Sequence, residues 1–514
     1  MRPGSAKPDL RSWSNRTWVV VATVAIVVGL VACENRFGAT LTRPEDPVVL
    51  TGAQLPKLIG QAPARVVAFA WDGEVWHQVP VQVDQRDLVN PGRIYNRPES
   101  RWAKRPDGSS YEMLVYTPPA AATGYRSYGT FTPPDRDPNL DANDEVSLLA
   151  ADVGQLAPGS AGNPQGVTVA TRERVTVHDP RDPQAVGYAY LYASPSLSGG
   201  AVTSGVDYRF RLDSGAYKTT YRMGTASNPP NNQLGPNPEH SEVTTSRYRF
   251  SYADRWLNDG LVIREGGGSG ADLLDRAQWP VPNAGCARNE DTYDLRSPTS
   301  PYEAAFIVNV SGPVRAIRSH IGANSFTYTV QTDLFYPRRQ DTVIQLQGHG
   351  GLPGYASYDD LTTGLARMTY SDNANSNLEI DGKADTFTPI SWTVGSGTPP
   401  TVWQLVKGPA GSLVTTRTLD TDVTGARVST SYEDASPDSP TPCTGDASSW
   451  GLNGFQILAP QGTTFPNTDP TLGDDPPKLN ATRSRYLLGA QTSAARAAEL
   501  ADRAQRPVTV TVTG

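Results

Sequence analysis

The sequence predicts an all-β chain of two antiparallel β-sandwich modules, and three observations carry the prediction. Aromatic and β-branched residues recur at period two along most of the chain, as half-buried strands require. The 47 glycines and 44 prolines are scattered between these alternations and form no low-complexity tract, so they read as turn punctuation. After the N-terminal apolar run, only Thr492 to Gln505 has the alanine content and apolar spacing of a clear helix. At 514 residues the chain exceeds one ordinary domain.

The first element is "ARVVAFAWDGEVWHQVPVQVD". Val66, Ala68 and Ala70 alternate with Val67, Phe69 and Trp71, and Asp72-Gly73 then supplies the positive φ angles of a two-residue type I′ hairpin turn. Val79, Val81 and Val83 alternate with Gln82 and Asp84, so one face meets a core and the other meets solvent or a neighbour. Further strands follow at short spacing, among them "VGYAYLYAS", "DYRFRLD", "RYRFSYADRWL", "AAFIVNV", "FTYTVQTDLFYP" and "TVIQLQ", and "RPVTVTVTG" ends the chain as a strand. A second, shorter helix is expected at "ADLLDRAQW", after the Gly266–Gly270 loop. The turn-rich "SPSLSGGAVTSG" places the module boundary near 200, giving an N-terminal sandwich over 47–200 and a larger one over 201–514 that includes the C-terminal helix and strand.

The N-terminus has the three zones of an export signal: Arg2, Lys7, Arg11 and Arg16, then the apolar run Trp18 to Ala32, then Cys33. The run is 15 residues long, short of the roughly 20 that span a bilayer. The last four residues, Leu30-Val31-Ala32-Cys33, resemble the lipobox of bacterial lipoproteins. That resemblance implies a signal peptide over 1–32, a lipid on Cys33 that anchors the chain to the outer face of the cell membrane, and a tether over 33–46. It also leaves Cys286 and Cys443 as one pair in an oxidising compartment, where a disulfide is expected. The pair closes a loop of 157 positions, a constraint of about 4 to 5 kcal/mol in the chain-entropy view.

Removing the signal takes away four basic residues and one acid and moves the formal charge from −7 to −10. An acidic chain without a basic stripe argues against nucleic acid as a partner. The sequence has no G-x-S-x-G elbow, no H-E-x-x-H, no C-x-x-C and no Walker A lysine. Of its five histidines, two stand in settings worth testing as a general base. In "VRAIRSHIG", Arg318 and His320 lie two apart and share a strand face; on a sugar-binding concavity His320 would be the base and Arg318 the partner of a uronate carboxylate. His349 in "GHGGLPG" is flanked by glycines that permit close backbone approach. The bland alternatives are a polar strand edge and a loop histidine.

One loop invites a metal reading. In "PPDRDPNLDANDEVSLLAA", Asp135, Asp137, Asn139 and Asp141 match positions one, three, five and seven of a calcium loop. Leu140 stands where that loop has its glycine and Val146 where it has its bidentate acid, so Asp144 or Glu145 would have to complete the set, with help from Asp84 and Asp87. Structural Ca2+ is one expectation. Asx-turns that launch the strand beginning "EVSLL" are the other.

Two stretches of the second region, "SGPVRAIRSHIG" (Ser311 to Gly322) and "VWQLVKGPAGSLV" (Val402 to Val414), resemble strands of galactose-mutarotase-like β-supersandwich proteins. The resemblance covers roughly residues 205–480 and lacks that fold's histidine and carboxylate pair. It implies a carbohydrate ligand. Two functions are therefore carried forward: a lipid-anchored protein that binds or processes an extracellular polysaccharide, and a non-enzymatic envelope or adhesion scaffold.

Overall fold

The computed structural model describes residues 35–94, 104–119, 126–127, 132–211, 239–252, 258–278, 304–322, 328–347, 350–435, 449–471, 473 and 476–514. The expected signal and lipidation site at Cys33, the Cys286 and Cys443 pair and His349 lie outside these residues.

The spine of the molecule is a ten-stranded antiparallel sheet. Its order is Leu378–Ile380, Met368–Asp372, Trp403–Gly408, Gly411–Thr421, Leu479–Leu488, Arg339–Gln347, Tyr328–Phe335, Ala316–Gly322, Ala304–Ser311 and Arg126–Ser127. Both stretches that carried the supersandwich resemblance are hairpins of this sheet. One face is covered by two smaller antiparallel sheets. The first contains Asp207–Arg209, Ser241–Thr244, Tyr248–Tyr252 and Gly260–Ile263; the second contains Leu274–Gln278, Gly354–Leu361, Ser449–Leu458, Arg427–Ala435 and Ser391–Thr393. Tyr208, Tyr248 and Phe250 of the first cover pack with Phe335, Leu413 and Leu487 of the spine in one core.

The other face of the spine carries the N-terminal module and the helix. Ile317, Ile321, Val330 and Leu334 cluster with Val89, Met113, Val115 and Leu149 of that module. Farther along, Trp403, Leu405, Val414 and Tyr486 bury Ala497, Leu500 and Ala501 of helix Ala494–Gln505. Ser493 caps the helix by accepting the backbone N–H of Arg496 at 3.1 Å. The module itself is a sandwich of a three-stranded sheet (Pro47–Thr51, Glu145–Leu149, Gln82–Asp84) and a five-stranded sheet that begins with the hairpin Val66–Trp71 and Trp76–Val79. No helix among the described residues is long and apolar enough to cross a membrane.

Three expectations are corrected. The hairpin forms, but four residues, Asp72 to Val75, separate its strands, because the Asp72 carboxylate accepts the backbone N–H groups of Glu74 and Val75, each at 2.8 Å, and opens the turn. The described part of "ADLLDRAQW", 271–278, is no helix: Leu274–Gln278 pairs antiparallel with Gly354–Leu361 and buries Leu274 and Ala277. An edge that needs a partner overrides local propensity there. Finally, the terminal strand Thr509–Thr513 belongs to the N-terminal module, where it pairs with Thr168–Asp179, because Val510 and Val512 complete that module's core.

Candidate functional site

The residues that matter at the junction begin with an alternation. Val79, Val81 and Val83 point into the N-terminal core, so Gln82 and Asp84 point the other way, and both are buried against the spine. The hairpin between Ser311 and Ala316 docks on them. Gln82 Oε1 accepts the backbone N–H groups of Val314 and Arg315, each at 2.9 Å. That approach demands glycine at 312, where a Cβ would stand 2.3 Å from Gln82 Oε1.

Arg315 is carried by this hairpin into the module, with 1 % of its surface exposed. Its Nε donates to Asp84 at 2.9 Å, its Nη2 to Glu145 at 2.6 Å and its Nη1 to the Tyr336 hydroxyl at 3.0 Å. The guanidinium also lies over the Tyr116 ring, 5.5 Å from its centroid. Glu145 additionally accepts Arg86 Nη1 and the Tyr116 hydroxyl, both at 2.7 Å. Burial works against the charge on Glu145, but Arg315 and Arg86 outweigh it and hold the carboxyl below its ordinary range. For Asp84 the balance reverses, and burial raises the carboxyl despite Arg315. Burial, reinforced by Glu145, pushes the Tyr116 hydroxyl well above its usual value.

Beside this cluster lies a cavity of about 360 Å³, within the size range of small-molecule pockets. Arg86, Tyr116, Glu145 and Tyr336 supply polar groups to its wall, and Val49, Leu114 and Val343 supply apolar ones. Such a wall can hold a ligand with both hydroxyl-bearing and C–H faces. Among the described lining residues there is no histidine, Glu145 already accepts three donors and Asp341 accepts Arg339 Nε at 2.7 Å, so the described wall suits binding better than proton transfer.

The acidic loop positions this cluster. Asp135, Asp137 and Asp141 each accept the backbone N–H two residues on, at 2.9, 3.0 and 2.9 Å, which makes a run of Asx-turns. Asp144 closes the run by accepting the N–H groups of Arg86 and Asp141 at 2.8 and 3.0 Å. Strand Glu145–Leu149 starts immediately afterwards, with Glu145 at the cavity. Burial, together with the neighbouring carboxylates, pushes Asp135 up to about 6 and Asp144 up to about 7. Asp87 does come to the loop, where it forms an ion pair with Arg136 at 2.6 Å, whereas Asp84 is turned away toward Arg315. Among the described residues no group of three or more His, Cys, Asp or Glu side chains is disposed to hold a metal ion.

Arg318 and His320 share a strand face, and that face is the covered one. Arg318 is fully buried and donates from Nε and Nη2 to Glu239 and from Nη1 to Asp333 at 3.2 Å, under the Tyr252 ring at 4.2 Å. His320 is 3 % exposed, with Nδ1 3.4 Å from Arg318 Nη1. Burial, and then Arg318, hold its pKa well below the usual histidine value. A uronate at Arg318 would have to displace Glu239.

The sequence names Glu145 only as a possible ligand of the acidic loop and does not point to the junction cluster of Tyr116, Glu145, Arg315 and Tyr336. Glu145 follows directly on the acidic loop, which is the one signal that marks it; nothing local marks Arg315 or the tyrosines. No protein-family model matches the chain, and no curated protein matches it.

Proposed function

We propose that the protein is an exported lipoprotein, anchored through Cys33, whose junction cavity binds an extracellular polysaccharide. One observation carries this reading: a cavity of about 360 Å³ between two sandwiches, with arginine and tyrosine groups set among aliphatic walls, the mixed surface that sugar rings and their hydroxyls call for. The resemblance of the spine hairpins to supersandwich strands raises the expectation of carbohydrate, but fold alone does not assign a ligand. The same reading includes a disulfide between Cys286 and Cys443. It also includes structural calcium at the Asp135 to Asp144 loop, where Asp135 Oδ2 and Asn143 Oδ1 are buried without hydrogen-bond partners.

The test is a glycan-array binding and turnover screen on the soluble chain starting at Glu34, with and without EDTA, beside the cavity-filling variant Val343→Phe. Binding that Val343→Phe abolishes while the fold persists supports the reading; binding unaffected by the variant places the ligand elsewhere. Loss of binding, or of thermal stability, in EDTA assigns the metal.

A second reading is favoured by a specific feature of the same cluster. Arg315, Asp84 and Glu145 satisfy one another across the two modules, as a structural rivet would, so a non-enzymatic envelope scaffold is what an empty screen with an unchanged melting temperature in EDTA selects.

A further inference from the structure

The covered face of the spine is built around arginines. Cross-strand pairing places Arg318 opposite Asp333, Thr415 opposite Arg485, and Arg417 opposite Arg483, and residues directly opposite one another share a face. Each of these arginines meets an aromatic ring or a carboxylate of the covering sheets. Arg485 lies over Phe250 at 4.7 Å, and both Arg483 and Arg485 donate to Asp359, at 3.2 and 3.1 Å.

Arg417 differs from the rest. Only 6 % of it is exposed. Its guanidinium lies over the Phe455 ring, 5.1 Å from the centroid, but no described residue accepts a hydrogen bond from it or forms an ion pair with it, and its Nε and Nη2 are both buried without an acceptor. Those two nitrogens form the edge of the guanidinium whose N–H bonds run parallel, the edge that grips an anion in bidentate fashion. Arg315 turns this edge to Asp84 and Arg318 turns it to Glu239. Next to Arg417 on the same face, the Thr415 hydroxyl is also buried without a partner and has a proton to donate. An isolated buried charge is costly, and proteins keep one only where something neutralises it. Burial and the neighbouring Arg483, only partly offset by Asp359, depress the Arg417 pKa to about 9, which leaves it charged at neutral pH.

We infer that the Nε and Nη2 edge of Arg417, with the Thr415 hydroxyl, is a buried binding site for a small monovalent anion of halide or formate size. The burial of Arg417 between the spine and the cover sheet limits the ligand to one of a few atoms. A bridging water could satisfy the N–H groups, but the one carboxylate that offsets part of the charge, Asp359, is already shared by Arg483 and Arg485.

The experiment compares thermal unfolding of the chain from Glu34 in sodium chloride, bromide, formate and gluconate at equal ionic strength, for wild type and Arg417→Met, beside diffraction from wild-type crystals grown in bromide. The expected result is a melting temperature several degrees higher in the small anions than in gluconate, whose bulk excludes it, since a ligand that binds only the folded state stabilises it. Arg417→Met removes that difference, which separates site binding from general salt effects. The ranking of halides against formate identifies the occupant. Equal melting temperatures in all four salts, or a difference that persists in Arg417→Met, overturns the inference. If Arg417→Met fails to fold, the bromide data decide: an anomalous peak beside Arg417 supports the site and its absence refutes it.

Discussion

At the scale of single residues, the junction depends on Arg315. Removing it leaves Asp84 and Glu145 buried beside each other without their shared cation, so Arg315→Met is expected to cost about 3 to 5 kcal/mol, read as a lower urea midpoint with unchanged slope. Adding Asp84→Asn and Glu145→Gln should recover part of that loss; a triple variant no more stable than Arg315→Met would show that packing, not charge, is what Arg315 contributes. Two buried titrating groups give opposite pH slopes. In the metal-free chain Asp144 is pushed up to about 7 against 3.8 for the free side chain, so the folded state holds the extra proton and this group's contribution is lost as pH rises from about 4 to about 7. His320 is depressed instead, so its contribution is lost as pH falls below about 6.5, where the unfolded chain takes up the proton first. Asp144→Asn should flatten the first slope, and the His320 ring signals in NMR should show no titration between about pH 5 and 8. A His320 that titrates near 6.5 would mean its strand face is open to water. The two-residue spacing of Arg318 and His320 gives a shared face, but which face of a sheet another sheet covers depends on contacts far away in the chain, as between Arg318 and Glu239, 79 positions apart.

At the scale of elements, local chemistry was most legible where an element carries its own signal. Helix Ala494–Gln505 was expected over Thr492 to Gln505, and its alanine-rich face seats on Trp403 and Tyr486. Ser493→Ala should therefore cost about 1 kcal/mol, visible as a lower melting temperature, and Ser493→Asp should restore it. If neither change moves the melting temperature, the cap contributes nothing beyond what packing already fixes. Strand Leu274–Gln278 was illegible for the opposite reason, since its spacing fits a helix and only the unpaired edge of Gly354–Leu361 makes it a strand. The 311–316 hairpin lies between these cases. Its strands were readable, but its role was not, because the need for Gly312 arises from Gln82 on a distant strand. Gly312→Ala should lower the melting temperature by several degrees, and Gln82→Ala in the same chain should relieve the clash.

At the scale of the whole molecule, the segment Arg43 to Asp46 ties the parts together. Arg43 donates to the carbonyls of Arg503 and Arg506 at the end of the helix, both at 2.9 Å, and to Asp179 of the N-terminal module at 3.0 Å. Glu45 accepts Arg496 and Arg503 from the helix at 2.7 and 3.3 Å, and Asp46 accepts Arg339 of the spine at 3.0 Å. The chain then returns, because the strand after the helix completes the N-terminal module. Chains of this length commonly unfold domain by domain, but here the last residues of the expected tether are buried in the fold at Arg43, Glu45 and Asp46 and cross the same boundary as the last residues of the chain. Calorimetry on the chain from Glu34 should therefore give one cooperative transition. The double variant Arg43→Met and Arg339→Met leaves Asp46, Asp179 and Asp341 short of a cation at the boundary itself, and should split that transition into two, with the N-terminal module melting first because it also loses the anchorage of its terminal strand. Two transitions already present in the wild type would show that the modules are not coupled, and a variant that still melts as one unit at a lower temperature would place the coupling in the Arg315 hairpin instead. The variant Arg315→Met, run in the same calorimeter, tells those two origins apart.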